Sequence, residues 1–324
     1  MCVCVRVCAS ARMGQGITRK YAFMPPACSY NASLPNVWIQ RPKGDPSQKI
    51  PALFFDPTVL GAMPRRHSVT ILYSHGNAED IGQMVDYLKY ISMTARVNIL
   101  AYDYPGYGLN TGESPTEANV ERDEMLAFAY LVKERGVDPR SIIIMGRSIG
   151  SGPAVYLASQ LSKKARPDLG CTKEGQFGGL IVQSGVASAV RVVSNAASYI
   201  PFTDMFQNVD IIDKVTTPVC IMHGRKDAVV PFEHGAMLWD KVRTESKWRF
   251  LQLDEADHND LHIVAQAEWI TTIIDFADFV EKTLNEAPPL DASPTTSTTS
   301  SASAVVAPAQ PKPEDSSVPS SNPP

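Results

Sequence analysis

Long apolar runs are missing from this chain. No stretch approaches the roughly 20 consecutive apolar residues of a membrane-spanning helix, so none is expected. A basic excess is missing too: 30 Lys and Arg stand against 34 Asp and Glu, a net charge of −4, and no global positive field points to nucleic acid. Cysteine is sparse and poorly placed for zinc or a disulfide framework. The six are Cys2, Cys4, Cys8, Cys28, Cys171 and Cys220, with no C-x-x-C pair, and three of them crowd the first eight residues. A reducing, hence intracellular, compartment is the expectation. No secretory h-region stands at the N-terminus, because Arg6 and Arg12 interrupt its apolar residues. No motif calls for a metal or a cofactor.

What is present is apolar material for a sizeable core, 44% of 324 residues. Beyond Glu286 the composition turns to Pro, Ser, Thr and Ala; residues 286–324 cannot bury enough surface to offset ordering entropy and are expected to be disordered. Residues 1–33 read as a flexible, lipidated segment. Cys2, Cys4 and Cys8 lie beside basic residues, which suits S-palmitoylation. Met13-Gly14-Gln15-Gly16-Ile17-Thr18 matches the N-myristoylation pattern, which works only if Gly14 becomes the N-terminus. One acyl chain binds membranes marginally, so a second signal is needed, and Cys28 with Arg19 and Lys20 can supply it. The expectation is a cytoplasmic monomer held peripherally on a membrane by its N-terminus.

Between the tails, in a single domain placed at 34–285, apolar β-branched runs alternate with segments of helical period. That predicts a mostly parallel sheet with helices on both faces. Residues 36–40 and 51–55 read as an antiparallel ribbon joined by the turn-rich Pro42-Lys43-Gly44-Asp45-Pro46. Further strands are expected at 68–74, 97–102, 142–145, 180–182, 218–222 and 250–253. Helical spacing joins Ile81, Met84, Val85, Leu88 and Ile91. A second helix should run from the Ser114-Pro115-Thr116-Glu117 capping box to about Arg135, closed by Gly136, and a last one from about Ile263 to Leu284. Residues 162–178 read as a polar surface insertion. The apolar, aromatic stretch 199–206 reads as a pocket border or as a loop packed over the sheet.

The chemistry centres on Gly146-Arg147-Ser148-Ile149-Gly150, between the apolar run 142–145 and a helix-like run from Pro153 to Leu161. Strand, tight turn and helix form the setting of a nucleophile elbow. The two glycines allow strand and helix to approach, and the N–H of Ile149 falls at a helix start, where a developing oxyanion is favoured. A serine at its free pKa needs a base, and the base an orienting acid. In an α/β-hydrolase fold these follow in the order Ser, Asp or Glu, His, and catalytic groups gather at the carboxyl ends of parallel strands. Asp227 follows strand 218–222 and His258 follows strand 250–253. Rival bases are His67 and His75, in the wrong order, His223 and His234, and His262, four residues past His258. Asp254 and Asp257 are the rival acids. The second oxyanion donor should come from His75-Gly76-Asn77-Ala78, through the main-chain N–H of Asn77.

Several of these motifs occur in register with others: Tyr73-Ser74-His75-Gly76-Asn77-Ala78, Gly82-Gln83-Met84, Tyr102-Asp103-Tyr104-Pro105-Gly106-Tyr107-Gly108, Pro218 to Asp227, Phe232-Glu233-His234-Gly235 and Asp257-His258-Asn259-Asp260. Together with the elbow they resemble the α/β-hydrolase domain-containing protein 17 group. The resemblance implies an α/β-hydrolase fold with a minimal cap and Ser148, Asp227 and His258 as nucleophile, acid and base. It also implies a palmitoylated N-terminus and a thioesterase that removes palmitate from cysteines of other membrane proteins at the cytosolic membrane face. Here the N-terminal cysteines are spaced by valines, and the 162–178 stretch and the Pro/Ser/Thr tail are additions. Other readings are a small-ester or lipid esterase, a serine peptidase of the prolyl oligopeptidase type, and a non-catalytic binding protein on the same fold.

Overall fold

The computed structural model describes residues 23–41, 49–61, 68–193 and 204–287. Within them the apolar runs form one eight-stranded sheet: β1 Val37–Gln40, β2 Lys49–Phe55, β3 Thr70–Ser74, β4 Asn98–Tyr102, β5 Ile142–Arg147, β6 Gly179–Gln183, β7 Val219–Gly224 and β8 Lys247–Leu253. The order is β1-β2-β4-β3-β5-β6-β7-β8. β1 and β2 pair antiparallel, β2 meets β4 antiparallel, and the remaining pairs are parallel. After β4 the chain crosses β3 to place β5 on its other side. This reversal of winding opens a crevice at the carboxyl end of β5, where such sheets bind ligands. The expected fold, an α/β-hydrolase sheet with an antiparallel opening ribbon, is the observed one.

Every residue of β3, β4 and β6 is buried, as a sheet covered on both faces requires. In β5, Ile142 and Ile144 enter one core, with Leu72, Leu100, Leu180 and Val182; Ile143 and Met145 enter the other, with Ile71, Ile99, Ile181 and Met222. Each such side chain contributes about 1.5–3 kcal/mol by leaving water. The helices are α1 Val85–Ala95, α2 Glu117–Lys133, α3 Ser151–Lys163, α4 Ala189–Val193, α5 Phe232–Lys241, α6 Leu261–Val264 and α7 Gln266–Glu286. Phe128 and Leu131 of α2 and Leu157 and Leu161 of α3 cover the first face. Leu88 and Ile91 of α1, with Trp269, Ile273 and Phe276 of α7, cover the second.

Four local expectations need correction. The cap of α2 is Thr116, not Ser114: Thr116 is extended (φ −140°, ψ 155°) and its hydroxyl accepts the Asn119 N–H at 3.2 Å, so Pro115 lies before the helix. The last helix is two, because Ala265 (φ −122°, ψ 39°) leaves helical geometry between α6 and α7. Residues 162–178 are more than a surface insertion, since Leu169, Cys171 and Phe177 are buried in the core. Residues 23–33 are not a free leader. Phe23 is buried, edge-on to Phe206 with ring centroids 5.9 Å apart, and the following residues are tied down by hydrogen bonds. Apolar contact at Phe23 and carboxylate partners further on hold this strap to the body.

The turn at 42–46, His67, residues 199–203 of the aromatic stretch and the 288–324 tail lie outside the described residues, as do Cys2, Cys4, Cys8 and Gly14. Of the aromatic stretch, Met205 and Phe206 are buried.

Candidate active site

β5 passes into α3 through one helical turn, Ser148–Gly150. Ser148 has φ +54°, in the left-handed region that a residue with a Cβ enters only at a cost. The turn holds because its neighbours leave room for it. A Cβ on Gly146 would lie 2.7 Å from that of Ala154, and one on Gly150 would run into the carbonyl oxygens of Ser74 and His75. The Ser151 hydroxyl donates to the Ser148 carbonyl at 2.6 Å, closing the turn from beneath.

The loops after β7 and β8 bring two further side chains to this serine. His258 Nε2 is 2.9 Å from Ser148 Oγ, and His258 Nδ1 is 2.8 Å from Asp227 Oδ2. All three residues are buried. A carboxylate can only accept, so Asp227 holds the proton on Nδ1 and leaves the Nε2 lone pair facing the serine hydroxyl. Burial alone would raise the pKa of Asp227. Hydrogen bonds from His223 and His258, with the Val230 N–H, outweigh it and keep the carboxyl well below its usual range. Its other oxygen accepts the N–H groups of Val229 at 3.0 Å and Val230 at 2.7 Å. The geometry can move a proton from Ser148 to His258 while Asp227 stays ionised.

In its surroundings the chain resembles known proteins over most of its length. It is 36% identical over 201 residues to human alpha/beta hydrolase domain-containing protein 17B, covering 61% of this chain and 62% of that one, less than two thirds of the relative's length. It is 32% identical over 278 residues to alpha/beta hydrolase domain-containing protein aho-3 of Caenorhabditis elegans, covering 80% and 78%. The chain belongs to the alpha/beta hydrolase domain-containing proteins. No protein-family model matches it. A solved Pyrococcus furiosus esterase has the same fold at 15% identity, with a TM-score of 0.58 over 79% of this chain and 97% of that one.

Within this member of the family, the rival residues have other partners. His75 is buried, stacked on Tyr104 at 4.0 Å, with Nδ1 2.8 Å from the Gly76 carbonyl and Nε2 3.4 Å from Asp103. His223 Nε2 lies 2.8 Å from the Val230 carbonyl and 3.3 Å from Asp227 Oδ2, so it backs the acid. His234 accepts the Ala187 N–H at 3.0 Å. His262, on α6, packs against Tyr87 and Trp269, and burial lowers its pKa. Asp254 pairs with Arg225 at 2.9 Å. Asp257 accepts the N–H groups of Ala228 at 2.9 Å and His258 at 2.6 Å, which ties the acid loop to the base loop.

The Asn77 carboxamide oxygen accepts from the Met24 N–H at 2.9 Å and the Tyr107 hydroxyl at 2.7 Å. A part for Asn77 on the oxyanion side therefore rests on its main chain. Ile149 is the second residue of the turn after β5, among the N–H groups that a helix start leaves without a partner in the helix. Of the lipidation candidates, Cys28 is described: it is exposed, and its thiol donates to the Tyr30 carbonyl at 3.1 Å.

Sequence reasoning missed the groups that join the loops. Arg147 was only the variable residue of the elbow pattern. In the structure it reaches Glu79, 68 residues away, and Asn259, 112 residues away. No periodicity or spacing marks such pairs.

Proposed function

We propose that this chain is a serine hydrolase that works through an acyl-enzyme, with palmitoylated protein cysteines at the cytosolic membrane face as its substrates. The observation that carries the reading is the Ser148–His258–Asp227 relay on a left-handed elbow. Ser148 Oγ attacks the thioester carbonyl and His258 Nε2 takes its proton. The main-chain N–H groups of Ile149 and Asn77 receive the developing oxyanion. The tetrahedral intermediate expels the cysteine thiolate, which takes the proton from His258. Water, deprotonated by His258, then attacks the acyl-serine, and palmitate leaves as Ser148 regains its proton. Asp227 holds one tautomer of His258 throughout. Family membership supports the hydrolase part. The thioester substrate rests on the resemblance, and the membrane location on Cys2, Cys4, Cys8, Cys28 and Gly14.

Release of palmitate from a palmitoyl-cysteine peptide tests this, with wild type beside Ser148→Ala. Turnover by wild type that the variant loses is the expected result. A folded wild type that labels with a fluorophosphonate and hydrolyses short p-nitrophenyl esters, but leaves the thioester intact, moves the reading to a small-ester or lipid esterase. Cleavage of peptides alone moves it to a peptidase. Absence of labelling leaves a binding protein on this fold. Membrane location is tested separately: serine at Cys2, Cys4, Cys8 and Cys28 with Gly14→Ala should shift the protein to the soluble fraction.

A further inference from the structure

Three loops must keep their places around Ser148: the elbow itself, the loop after β3 that carries Asn77, and the loop after β8 that carries His258. One guanidinium touches all three. Arg147 immediately precedes the serine. Its Nη1 donates to both carboxylate oxygens of Glu79, at 2.8 and 2.7 Å, and its Nη2 donates to Asn259 Oδ1 at 2.6 Å. Glu79 passes the constraint on, because its Oε1 accepts the Gly76 N–H at 2.5 Å, one residue before Asn77. The site is shaped for this pair: a Cβ on Gly76 would lie 2.9 Å from Glu79 Oε1 and 3.4 Å from Arg147 Nη1. Both charged side chains are largely buried, 11% and 15% exposed, so screening by water is weak and the geometry is well defined.

We infer that Arg147 and Glu79 are positioning residues for hydrolysis, a clamp that sets the oxyanion loop and the base loop against the nucleophile elbow. The inference rests on the serine-hydrolase reading above and assigns the clamp no contact with substrate. It differs from a purely structural ion pair in what a neutral replacement does. Removing one partner leaves a buried lone charge and lowers stability; replacing both by apolar side chains of similar size removes that penalty. A structural pair would then be dispensable. A clamp would not, because misplacement of about 1 Å near the reacting atoms can cost about 10²-fold in rate.

The test compares wild type, Arg147→Met, Glu79→Leu and the double variant Arg147→Met/Glu79→Leu in the full chain. Readouts are Tm, kcat and KM on a short p-nitrophenyl ester, and the rate of fluorophosphonate labelling. The expected result is a double variant with near-wild-type Tm and KM whose kcat and labelling rate stay about 10- to 100-fold down. Arg147→Lys, which keeps the charge but loses the fork, should fall between the two. Wild-type kcat in the folded double variant overturns the clamp. If the double variant does not fold, Asn259→Ala decides the matter, because Asn259 is exposed: a several-fold drop in kcat at unchanged Tm supports the clamp, and wild-type kcat overturns it. A wild-type chain that neither labels nor turns over ester overturns the serine-hydrolase reading and the clamp with it, an outcome distinct from loss of the clamp alone.

Discussion

Met24 donates its main-chain N–H to Asn77 Oδ1 at 2.9 Å, joining residues 53 apart in the chain. The strap that begins at Phe23 is thereby fastened to the loop after β3. Its other anchors reach the same region. Ser29 donates its N–H to Asp80 at 2.7 Å, and the Tyr30 hydroxyl donates to Asp103, which also accepts the Ile81 N–H at 2.9 Å. Tyr30→Phe keeps the ring and removes the hydroxyl. Loss of a hydrogen bond to a carboxylate should lower stability by about 1.5–3 kcal/mol. Urea denaturation checks this, and an unchanged midpoint would mean that the Tyr30 hydroxyl adds nothing to the hold of Phe23, Met24 and Ser29 on the strap.

Asp227→Asn preserves the size of the acid while removing its charge. The carboxamide can donate to His258 Nδ1 and so favour the tautomer whose Nε2 carries the proton. Ester turnover should fall about 10⁴-fold with the fold intact. Circular dichroism and kcat measured on the same preparation separate this from unfolding.

Glu121, on α2, has its pKa pushed up to about 8, first by burial and then by the neighbouring Glu117. Its ordinary value is 4.5, so the folded state holds this proton where the unfolded chain has lost it. The group therefore lowers stability progressively as the pH rises from about 4.5 to about 8, and fully above that. Glu121→Gln, neutral throughout, should have a higher Tm than wild type at pH 8.5, with the difference shrinking towards pH 5. Equal melting temperatures across this range would show that Glu121 is ionised in the fold.

Gly150→Ala places a methyl group against the carbonyl oxygens of Ser74 and His75. Main chain at the end of a central strand cannot rotate aside as a flexible side chain would. The elbow must move instead, and kcat should drop about 10²-fold even in molecules that fold. Gly61→Ala is the control, since nothing lies within 4 Å of a Cβ there, although its φ of +83° adds local strain. Similar losses of kcat in both variants would argue against a steric cause at the elbow.

The run that carries Ser148 was legible because its determinants are close neighbours: β-branched residues, then two glycines around a serine, then a helical period. The same locality explains the strands. Legibility failed where a choice between adjacent residues depended on surroundings. Ser114 and Thr116 both suit a helix start, and only the acceptance of the Asn119 N–H selects Thr116. Asp227, by contrast, is legible as the acid from its place after strand 218–222, and it is the carboxylate that reaches His258 Nδ1. Residues 23–33 read as part of a flexible segment because their partners, Asn77, Asp80 and Asp103, lie far along the chain.

By itself, then, the sequence determined where the chain extends, coils and turns, and which chemical groups stand at the ends of strands, because those features depend on residues within a turn or two of one another. The tertiary structure alone decided which loops meet. Arg147 finds Glu79 and Asn259, and the strap finds the loop after β3, through the order in which strands are laid down and the crossing of the chain past β3. Pairings of that range leave no periodic mark on one sequence; they follow from burying both faces of a single sheet.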